Sequence, residues 1–210
     1  MAAVGVVSER EADWSGGFSA PCVRNREPIL SVLAEVLATS HRVLEVGSCT
    51  GQHAAAFATA LPHLLWQPTD QALYVPGLRA NLQQNAPANV LPAKQLDVQC
   101  DTWPAGDYDA VFTANTLHIM SLVQVEATFL GVGNLLRSES LFLIYGPFNY
   151  GGAYTSASNQ AFDVSLQRRD PLSGIRDIEY ITSLADRHAL KLVNDFAMPA
   201  NNRLLVWRKK

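Results

Sequence analysis

The residues best suited to chemistry follow short apolar runs along the chain. The first run contains Glu45 and ends in Gly47-Ser48-Cys49-Thr50-Gly51, within the stretch RVLEVGSCTG. Glycines at these two positions let backbone N–H groups approach a ligand beside a helix N-terminus. A tight strand-to-helix turn would use the same glycines, so the pair indicates a nucleotide-type site only together with other residues.

An acidic residue follows each of the next two apolar runs. Asp70 stands where a carboxylate can accept hydrogen bonds from both hydroxyl groups of a ribose, although aspartate at a strand end also serves as a helix cap. Asp97 is placed to reach the exocyclic amine of adenine, with the Val98 N–H serving the ring, and an ordinary turn explains it equally well. Glu45 lies inside an apolar run, where an unpaired charge is costly. We therefore expect backbone N–H groups or a ligand's amino group to contact it.

Polar side chains also follow the later apolar runs. They are Asn115, Thr116 and His118, then Tyr145, Asn149 and Tyr150, and finally Asn201 and Asn202. Each has a structural explanation when taken alone, such as a histidine that only begins a helix. Their shared position after strands predicts that they converge on one edge of a sheet, where ligands bind in open parallel sheets.

The surrounding pattern alternates strand with helix. Apolar residues at helical spacing predict a first helix over residues 26–38, with Pro28 in its first turn. Strands are predicted at residues 42–47, 64–68, 89–98, 108–115, 141–146, 190–198 and 203–209, and further helices at 52–61, 71–85, 122–136, 159–168 and 177–188. Only the residues PANN separate the last two strands, which indicates a hairpin.

This alternation predicts an α/β fold: a Rossmann-like, doubly wound sheet of seven strands, mostly parallel, with helices on both faces. The closing hairpin makes the final strand antiparallel. That arrangement is typical of class I S-adenosylmethionine methyltransferases, whereas a nicotinamide-binding Rossmann domain ends with another parallel strand. We expect residues 1–18 to form a flexible arm and residues 19–210 a single domain.

The composition narrows the partners and the compartment. The formal net charge is −3 and no basic block occurs, which disfavours a nucleic-acid partner. The three cysteines lack the spacing of zinc ligands, so no metal site is predicted. Neither a signal peptide nor an apolar run of transmembrane length is predicted. We therefore expect a cytoplasmic protein without membrane contact, and its oligomeric state is left open.

Several stretches resemble the methyltransferase-like protein 26 family. They are SAPCVRNREPIL, LEVGSCTGQHAAAFA, WQPTD, YGPFNYGG, SNQAFDVSLQRRDPLSGIRD and MPANNRLLVWRK, and the resemblance runs from about Ser19 to Lys210. It implies a class I methyltransferase fold, with S-adenosyl-L-methionine as cofactor and S-adenosyl-L-homocysteine as product. It also implies cofactor-binding roles for Glu45, Gly47, Ser48, Gly51, Asp70, Asp97 and Asn115. Family members often have glycine where this chain has Cys49, so the backbone there either keeps a negative φ or is strained.

On this basis we expect in-line methyl transfer to a small-molecule acceptor, with the protein positioning and desolvating the reactants. An acceptor that holds its proton needs a base, for which the candidates are Tyr145, His118 and Asp163. Asn149, Asn201 and Asn202 would orient the acceptor through hydrogen bonds. For Asp163, a place on an amphipathic structural helix is an equally good explanation.

The loop YGPFNY, residues 145–150, adds two tyrosines and a phenylalanine at the same edge. These rings would clamp a planar or cationic group, or would pack under the N-terminal arm. Two other functions stay open. One is a non-catalytic adenosyl-ligand-binding or scaffold protein on the same fold. The other is an NAD(P)-dependent oxidoreductase, which the missing glycine of GxGxxG disfavours.

Overall fold

The computed structural model describes residues 18–210. The predicted arm therefore lies outside the described residues except for Phe18, and the division into an arm and one domain stays a prediction. The helices are α1 Ala20–Val36, α2 Gln52–Ala60, α3 Val75–Asn85, α4 Leu122–Leu135, α5 Ala157–Arg169 and α6 Ile178–Arg187. The strands are β1 Arg42–Val46, β2 Leu65–Asp70, β3 Lys94–Gln95, β4 Ala110–Ala114, β5 Leu141–Gly146, β6 Phe148–Asn149, β7 Arg176–Asp177, β8 Leu190–Met198 and β9 Asn202–Lys209.

Seven strands form one sheet in the order β3-β2-β1-β4-β5-β9-β8. The first five of these neighbours pair in parallel, and β9 pairs antiparallel with both β5 and β8. The predicted fold class is confirmed, including the reversed final strand. The short strands β6 and β7 pair separately and fasten the loop after β5 to the segment before α6.

Helices cover both faces of the sheet, which gives two apolar cores. Phe142 packs with the residues of α4 and α6, whereas the next residue, Leu143, packs with those of α1, α2 and α3. Successive side chains of a strand point to opposite faces, so one strand contributes to both cores. Because both faces of the central strands β1, β4 and β5 are covered, these strands read as continuous apolar runs in the sequence.

The first helix begins at Ala20, six residues before the predicted start at residue 26, so the predicted start was wrong. Pro21 occupies its first turn, and Pro28, predicted there, lies inside the helix. A proline inside a helix removes one backbone hydrogen bond and disfavours the helix locally. The burial of Ile29 and Leu33 against the sheet outweighs that cost. Asn25, which precedes the predicted start, is buried within the helix.

Two other predicted elements are shorter in the structure. The helix predicted from residue 71 begins at Val75, and the strand predicted over residues 89–98 retains only Lys94–Gln95. By contrast, β5 and β8 have the predicted bounds. Among the described residues, no helix is long and apolar enough to cross a membrane.

The glycines of two helices give a matched test of this packing. A Cβ added at Gly131 of α4 would lie 2.0 Å from Cε2 of Trp103, whereas one added at Gly77 of α3 would meet nothing within 4 Å. We expect Gly131→Ala to lower the free energy of unfolding by about 1–3 kcal/mol through overpacking. Gly77→Ala should raise it by up to about 1 kcal/mol through helix propensity. Urea denaturation of both variants checks this, and equal effects would contradict the packing of Trp103 on α4.

Candidate functional site

The polar residues predicted to converge do lie at one edge of the sheet, formed by the carboxyl ends of β1, β2, β4 and β5. Backbone hydrogen bonds join these ends directly. Ser48 N donates to Thr69 O at 2.9 Å, and Asn115 N donates to Tyr145 O at 2.9 Å. Because β9 runs in the opposite direction, its first residues reach the same edge, with Arg203 paired opposite Gly146.

The turn after β1 contains three residues in the left-handed region. Their φ angles are 73° at Gly47, 54° at Cys49 and 75° at Gly51. A Cβ at Gly47 would lie 2.6 Å from Cγ2 of Thr116, and one at Gly51 would lie 2.7 Å from Cδ2 of Leu82. Both glycines are therefore required by backbone conformation and by packing, whatever the turn binds. Of the two alternatives left open for Cys49, the structure has the strained one.

Asp70 stabilises the strained residue directly. One carboxylate oxygen, Oδ2, accepts the Cys49 N–H at 2.6 Å, and the other, Oδ1, accepts the Gln71 N–H at 2.7 Å. Burial raises the pKa of Asp70, and these two hydrogen bonds partly oppose that rise. Each carboxylate oxygen can accept a second bond, so Asp70 can brace the turn and still receive two ligand hydroxyl groups.

Glu45 is buried below the same turn. Its Oε2 accepts hydrogen bonds from Ser48 Oγ and from Trp66 Nε1, each at 2.9 Å. Ser48 Oγ in turn accepts the Thr69 N–H at 3.1 Å. The partners are thus a hydroxyl and an indole, where the sequence analysis expected backbone N–H groups or a ligand. Burial raises the pKa of Glu45 to about 7, and a nearby positive charge would favour its ionised form.

Asp97 has the contacts of a turn residue. Its Oδ1 accepts the Gln99 N–H at 3.0 Å, and its own N–H donates to Asp101 Oδ2 at 2.7 Å. Val98, its predicted partner toward an adenine ring, is 9% exposed. The structure therefore gives the turn explanation of Asp97 specific support, and a role toward adenine stays a prediction.

Asn115 continues the edge beyond β4. It adopts a left-handed φ of 59° and is partly exposed. Next to it, Thr113 Oγ1 donates to Val46 O at 2.8 Å and lies 2.6 Å from Thr116 Oγ1. These bonds fix the loop after β4 against the end of β1.

Tyr145 belongs to a buried polar cluster that the sequence analysis missed. Its hydroxyl group hydrogen-bonds with the side chains of Asn25 and Asn202. Asn25 Oδ1 also lies 2.8 Å from Nε2 of His53, near the start of α2. Burial raises the pKa of Tyr145 and lowers that of His53 to about 4. The sequence did carry a signal: Asn25, Ile29 and Leu33 share helical spacing and hence one face of α1.

The two other predicted bases lie at α5. His118 packs against this helix, and Asp163 belongs to it. His118 is buried with its ring 5.3 Å from that of Phe162, and burial, aided by the nearby Arg176, lowers its pKa to about 4. Asp163 accepts hydrogen bonds from Tyr154 Oη at 2.7 Å, Gln167 Nε2 at 2.8 Å and the Ile175 N–H at 2.6 Å. A Cβ added at Gly146 would lie 3.6 Å from Nδ1 of His118, so His118 stays close to the end of β5. Asp163, by contrast, has a bracing role.

The predicted substrate-binding residues surround a second feature of the edge. Asn201 follows Ala200, and both have a φ of 57°. This turn is held by Asn159 Nδ2, which donates to Asn201 O at 3.2 Å. Asn201 and Asn202 line a pocket of about 290 Å³ together with Tyr150 and Arg203. Asn149 comes just before Tyr150, and among the described residues its buried Oδ1 has no hydrogen-bond partner.

A larger groove of about 430 Å³ lies between α1, α2 and α3 and reaches the turn after β1 at Thr50 and Gly51. Its walls include Arg26, Gln52 and Asn81, and none of the acidic or aromatic groups of the edge lines it. Within residues 18–210, no group of three or more histidine, cysteine, aspartate or glutamate side chains is arranged to hold a metal ion. The edge is therefore the site at which charge, strain and buried polar groups coincide.

Solved structures share this architecture. An O-methyltransferase family protein from Burkholderia thailandensis is 16% identical with a TM-score of 0.76, the match covering 90% of this chain and 57% of that one. An O-methyltransferase family 2 protein from Planctomyces limnophilus, in complex with apigenin, is 14% identical with a TM-score of 0.80, covering 99% and 63%. PigF, solved with SAH, is 14% identical with a TM-score of 0.74, covering 87% and 55%.

At these identities the likeness establishes the fold, which is that of the class I methyltransferases. The chain spans between 55% and 63% of the length of these three solved chains. Residues 17–209 match the family described as protein of unknown function DUF938, and the chain belongs to that family.

The buried Glu45 predicts a pH dependence of stability. Its pKa in the folded protein, about 7, exceeds the ordinary value of 4.5. The stability that protonated Glu45 contributes is therefore complete below pH 4.5 and is lost as the pH rises through 7. From about pH 5 to about pH 8, the wild type should lose roughly 2–3 kcal/mol of stability relative to Glu45→Gln. Urea denaturation at both pH values measures this difference. Parallel pH profiles of the two proteins would show that Glu45 titrates normally.

Proposed function

We propose that this protein is an S-adenosylmethionine-dependent methyltransferase that acts on a small-molecule acceptor and releases S-adenosyl-L-homocysteine. The observation that carries the proposal is the braced turn after β1, in which the Asp70 carboxylate bonds the strained Cys49 N–H above the buried Glu45. Residues held in disfavoured backbone conformations cluster at ligand sites. Here the strained turn is bonded to two acids, Glu45 on β1 and Asp70 on the adjacent strand β2, at the same edge of the sheet.

The residues at this edge fit the cofactor in charge and in hydrogen-bonding capacity. Glu45, with Ser48, would face the positive amino group, and the open acceptor positions of Asp70 would take the ribose hydroxyls. The bare backbone at Gly47 and Gly51 would lie along the methionine part, Asn115 would contact it from the next strand, and Asp97 with the Val98 N–H would face adenine. The cofactor supplies an electrophilic methyl group on a good, neutral leaving group.

What remains for the protein is to position the acceptor and exclude water. Tyr145 is suited to this because Asn25 and Asn202 fix its hydroxyl from two sides at the end of a central strand. As that hydroxyl is protonated at neutral pH, it can donate a hydrogen bond to the acceptor or relay its proton. His118 is neutral at the same pH and so keeps a base available on the α5 side.

The solved structures support a small acceptor. The Planctomyces limnophilus protein is described in complex with apigenin, a small molecule, and PigF with SAH. This chain covers only part of either protein, so their binding partners enter as support for the proposal. We further propose that the DUF938 chain is a relative of the methyltransferase-like protein 26 family, that it acts in the cytoplasm, and that nucleic acid is not its substrate. The three free cysteines fit a reducing compartment.

A non-catalytic, adenosyl-ligand-binding protein is the second candidate. One observation favours it: of the three proposed bases, Asp163 is engaged by three protein donors. An NAD(P)-dependent oxidoreductase fits less well, because β9 is antiparallel and Cys49 occupies a glycine position. Calorimetric titration with SAH and with NADPH separates the oxidoreductase from the other two classes, and binding of NADPH alone would reject the methyltransferase proposal. A non-catalytic protein would bind SAH and transfer no methyl group to any acceptor of a screened panel.

Asp70→Ala tests the cofactor site. Losing bonds to both ribose hydroxyls should weaken SAH binding by roughly 2–4 kcal/mol in calorimetry. Asp109→Ala is the matched control, because Asp109 Oδ2 also accepts two backbone N–H groups, from His41 at 2.7 Å and Arg42 at 2.9 Å, at the opposite edge. The control should bind SAH like the wild type. If Asp70→Ala does so as well, Asp70 is only a turn brace.

Tyr145→Phe tests positioning near the methyl group. The variant should bind SAH normally and transfer radiolabelled methyl groups at least about 10-fold more slowly to an acceptor found by screening, since one acid–base group is lost. Tyr108→Phe is the control, because its buried hydroxyl has no hydrogen-bond partner among the described residues and it packs against α4. Equal turnover of both variants would reduce Tyr145 to a packing residue.

A further inference from the structure

A pocket lies beside the proposed site. Its walls come from the turn between β8 and β9, with the strand residues on either side of it, and from the loop after β5. Its lining residues are Tyr150, Thr155, Ala197, Met198, Asn201, Asn202 and Arg203, and its volume is about 290 Å³. Asn202 connects it to the Tyr145 hydroxyl, and Arg203 is paired opposite Gly146, next to Tyr145. The pocket therefore opens at the edge where methyl transfer would occur, and its size suits a small molecule.

Arg203 is held rigidly on one side. Its Nε donates to Asp195 Oδ1 at 2.7 Å, and its Nη2 donates to the backbone O of Asp195 at 3.1 Å. Tyr150 Oη donates to the other carboxylate oxygen of Asp195 at 2.8 Å. These bonds fix the plane of the guanidinium and leave the hydrogens of Nη1 for a molecule in the pocket that Arg203 lines.

The same arrangement excludes the cation clamp considered for the YGPFNY loop. The guanidinium carbon of Arg203 lies 5.7 Å from the centre of the Tyr150 ring, so the protein's own cation occupies that ring face. Phe148 is buried in the core, and Tyr145 is 3% exposed. No pair of open aromatic faces is thus presented by this loop, and the charged group that meets a ligand in the pocket is the Arg203 guanidinium, paired with Asp195.

The remaining polar groups of the wall are neutral and can donate hydrogen bonds. Thr155 contributes a hydroxyl, and Asn201 and Asn202 contribute amides. The carboxylate of Asp195 is bonded on both oxygens and balances the charge of Arg203, so recognition of an anion depends on the geometry of the guanidinium edge that faces the pocket. A planar guanidinium with a free edge matches a carboxylate in geometry and charge better than it matches a neutral or cationic group.

We propose that this pocket takes the methyl acceptor and that Arg203 binds a carboxylate group on it, so that the substrates are small organic acids. This inference rests on the proposed function. The carboxylate serves as the anchor in the pocket, and the atom that receives the methyl group lies at the Tyr145 end. Arg203 sets specificity here, whereas Asp195 and Tyr150 position Arg203.

The test uses benzoate and 4-hydroxybenzoate as probes, each compared with its uncharged amide. Binding to the full chain, with and without saturating SAH, is followed by calorimetry or by ligand-observed NMR. The wild type should bind each acid more tightly than its amide. Arg203→Gln should weaken acid binding by roughly 10- to 100-fold and leave amide binding unchanged. Arg203→Lys, which keeps the charge but not the fork, should give an intermediate loss.

Arg208→Gln is the matched control, because Arg208 lies on the same strand, is exposed and pairs with Glu139 at 3.5 Å. Acid binding by this variant should equal that of the wild type. Equal binding of acids and amides by the wild type, the absence of binding by both acids, or equal effects of Arg203→Gln and Arg208→Gln would each overturn the inference. SAH binding is measured separately. A wild type that does not bind SAH would reject the proposed function, whereas binding of the acids is measured independently on the protein without SAH.

Discussion

The hydrogen bond from the Cys49 N–H to Asp70 is the constraint on which the proposed site depends. It compensates a left-handed conformation at a residue with a side chain, which costs on the order of 1 kcal/mol or more. Because the bond joins the end of β1 to the end of β2, the strain is carried by two strands buried on both faces. With the turn fixed in this way, Ser48 is placed to bond Glu45, and Gly47 can lie against Thr116.

A second layer of buried polar groups connects this turn to the rest of the edge. His53, two residues into α2, bonds Asn25 of α1, which bonds Tyr145 of β5, which bonds Asn202 at the start of β9. Each member comes from a different element, so the cluster forms only when those four elements are packed together. Buried polar groups that are bonded to one another specify a single arrangement more strictly than apolar contacts do. The position of the Tyr145 hydroxyl is thus determined by the tertiary structure as a whole.

The sequence sufficed for the parts of the fold governed by local pattern. The bounds of β5 followed from an apolar run, because a strand buried on both faces has no competing period. β8 is largely exposed, and its bounds and the reversed hairpin followed from the one short turn before β9. The start of α1 did not follow, since Pro28 signals a helix start locally while the burial of Ile29 and Leu33 decides the outcome. For the proposed site, the sequence pointed to Asp70 and Tyr145 at strand ends and to Glu45 inside an apolar run. Asn25 and His53 were missed, because no local pattern reveals a bond between residues 28 positions apart.

The position of β9 determines when the sheet can be completed during synthesis. This strand is inserted between β5 and β8, both of which precede it in the chain, and within residues 18–210 it is the only sheet neighbour of β8. During synthesis β5 must therefore wait with an open edge, and β8 with no partner, until residues 202–209 emerge. Asn202 and Arg203 stand at the start of that same strand. A chain in which β9 has not yet paired consequently lacks two residues of the pocket proposed for the acceptor, so that pocket is complete only once β9 has joined the sheet.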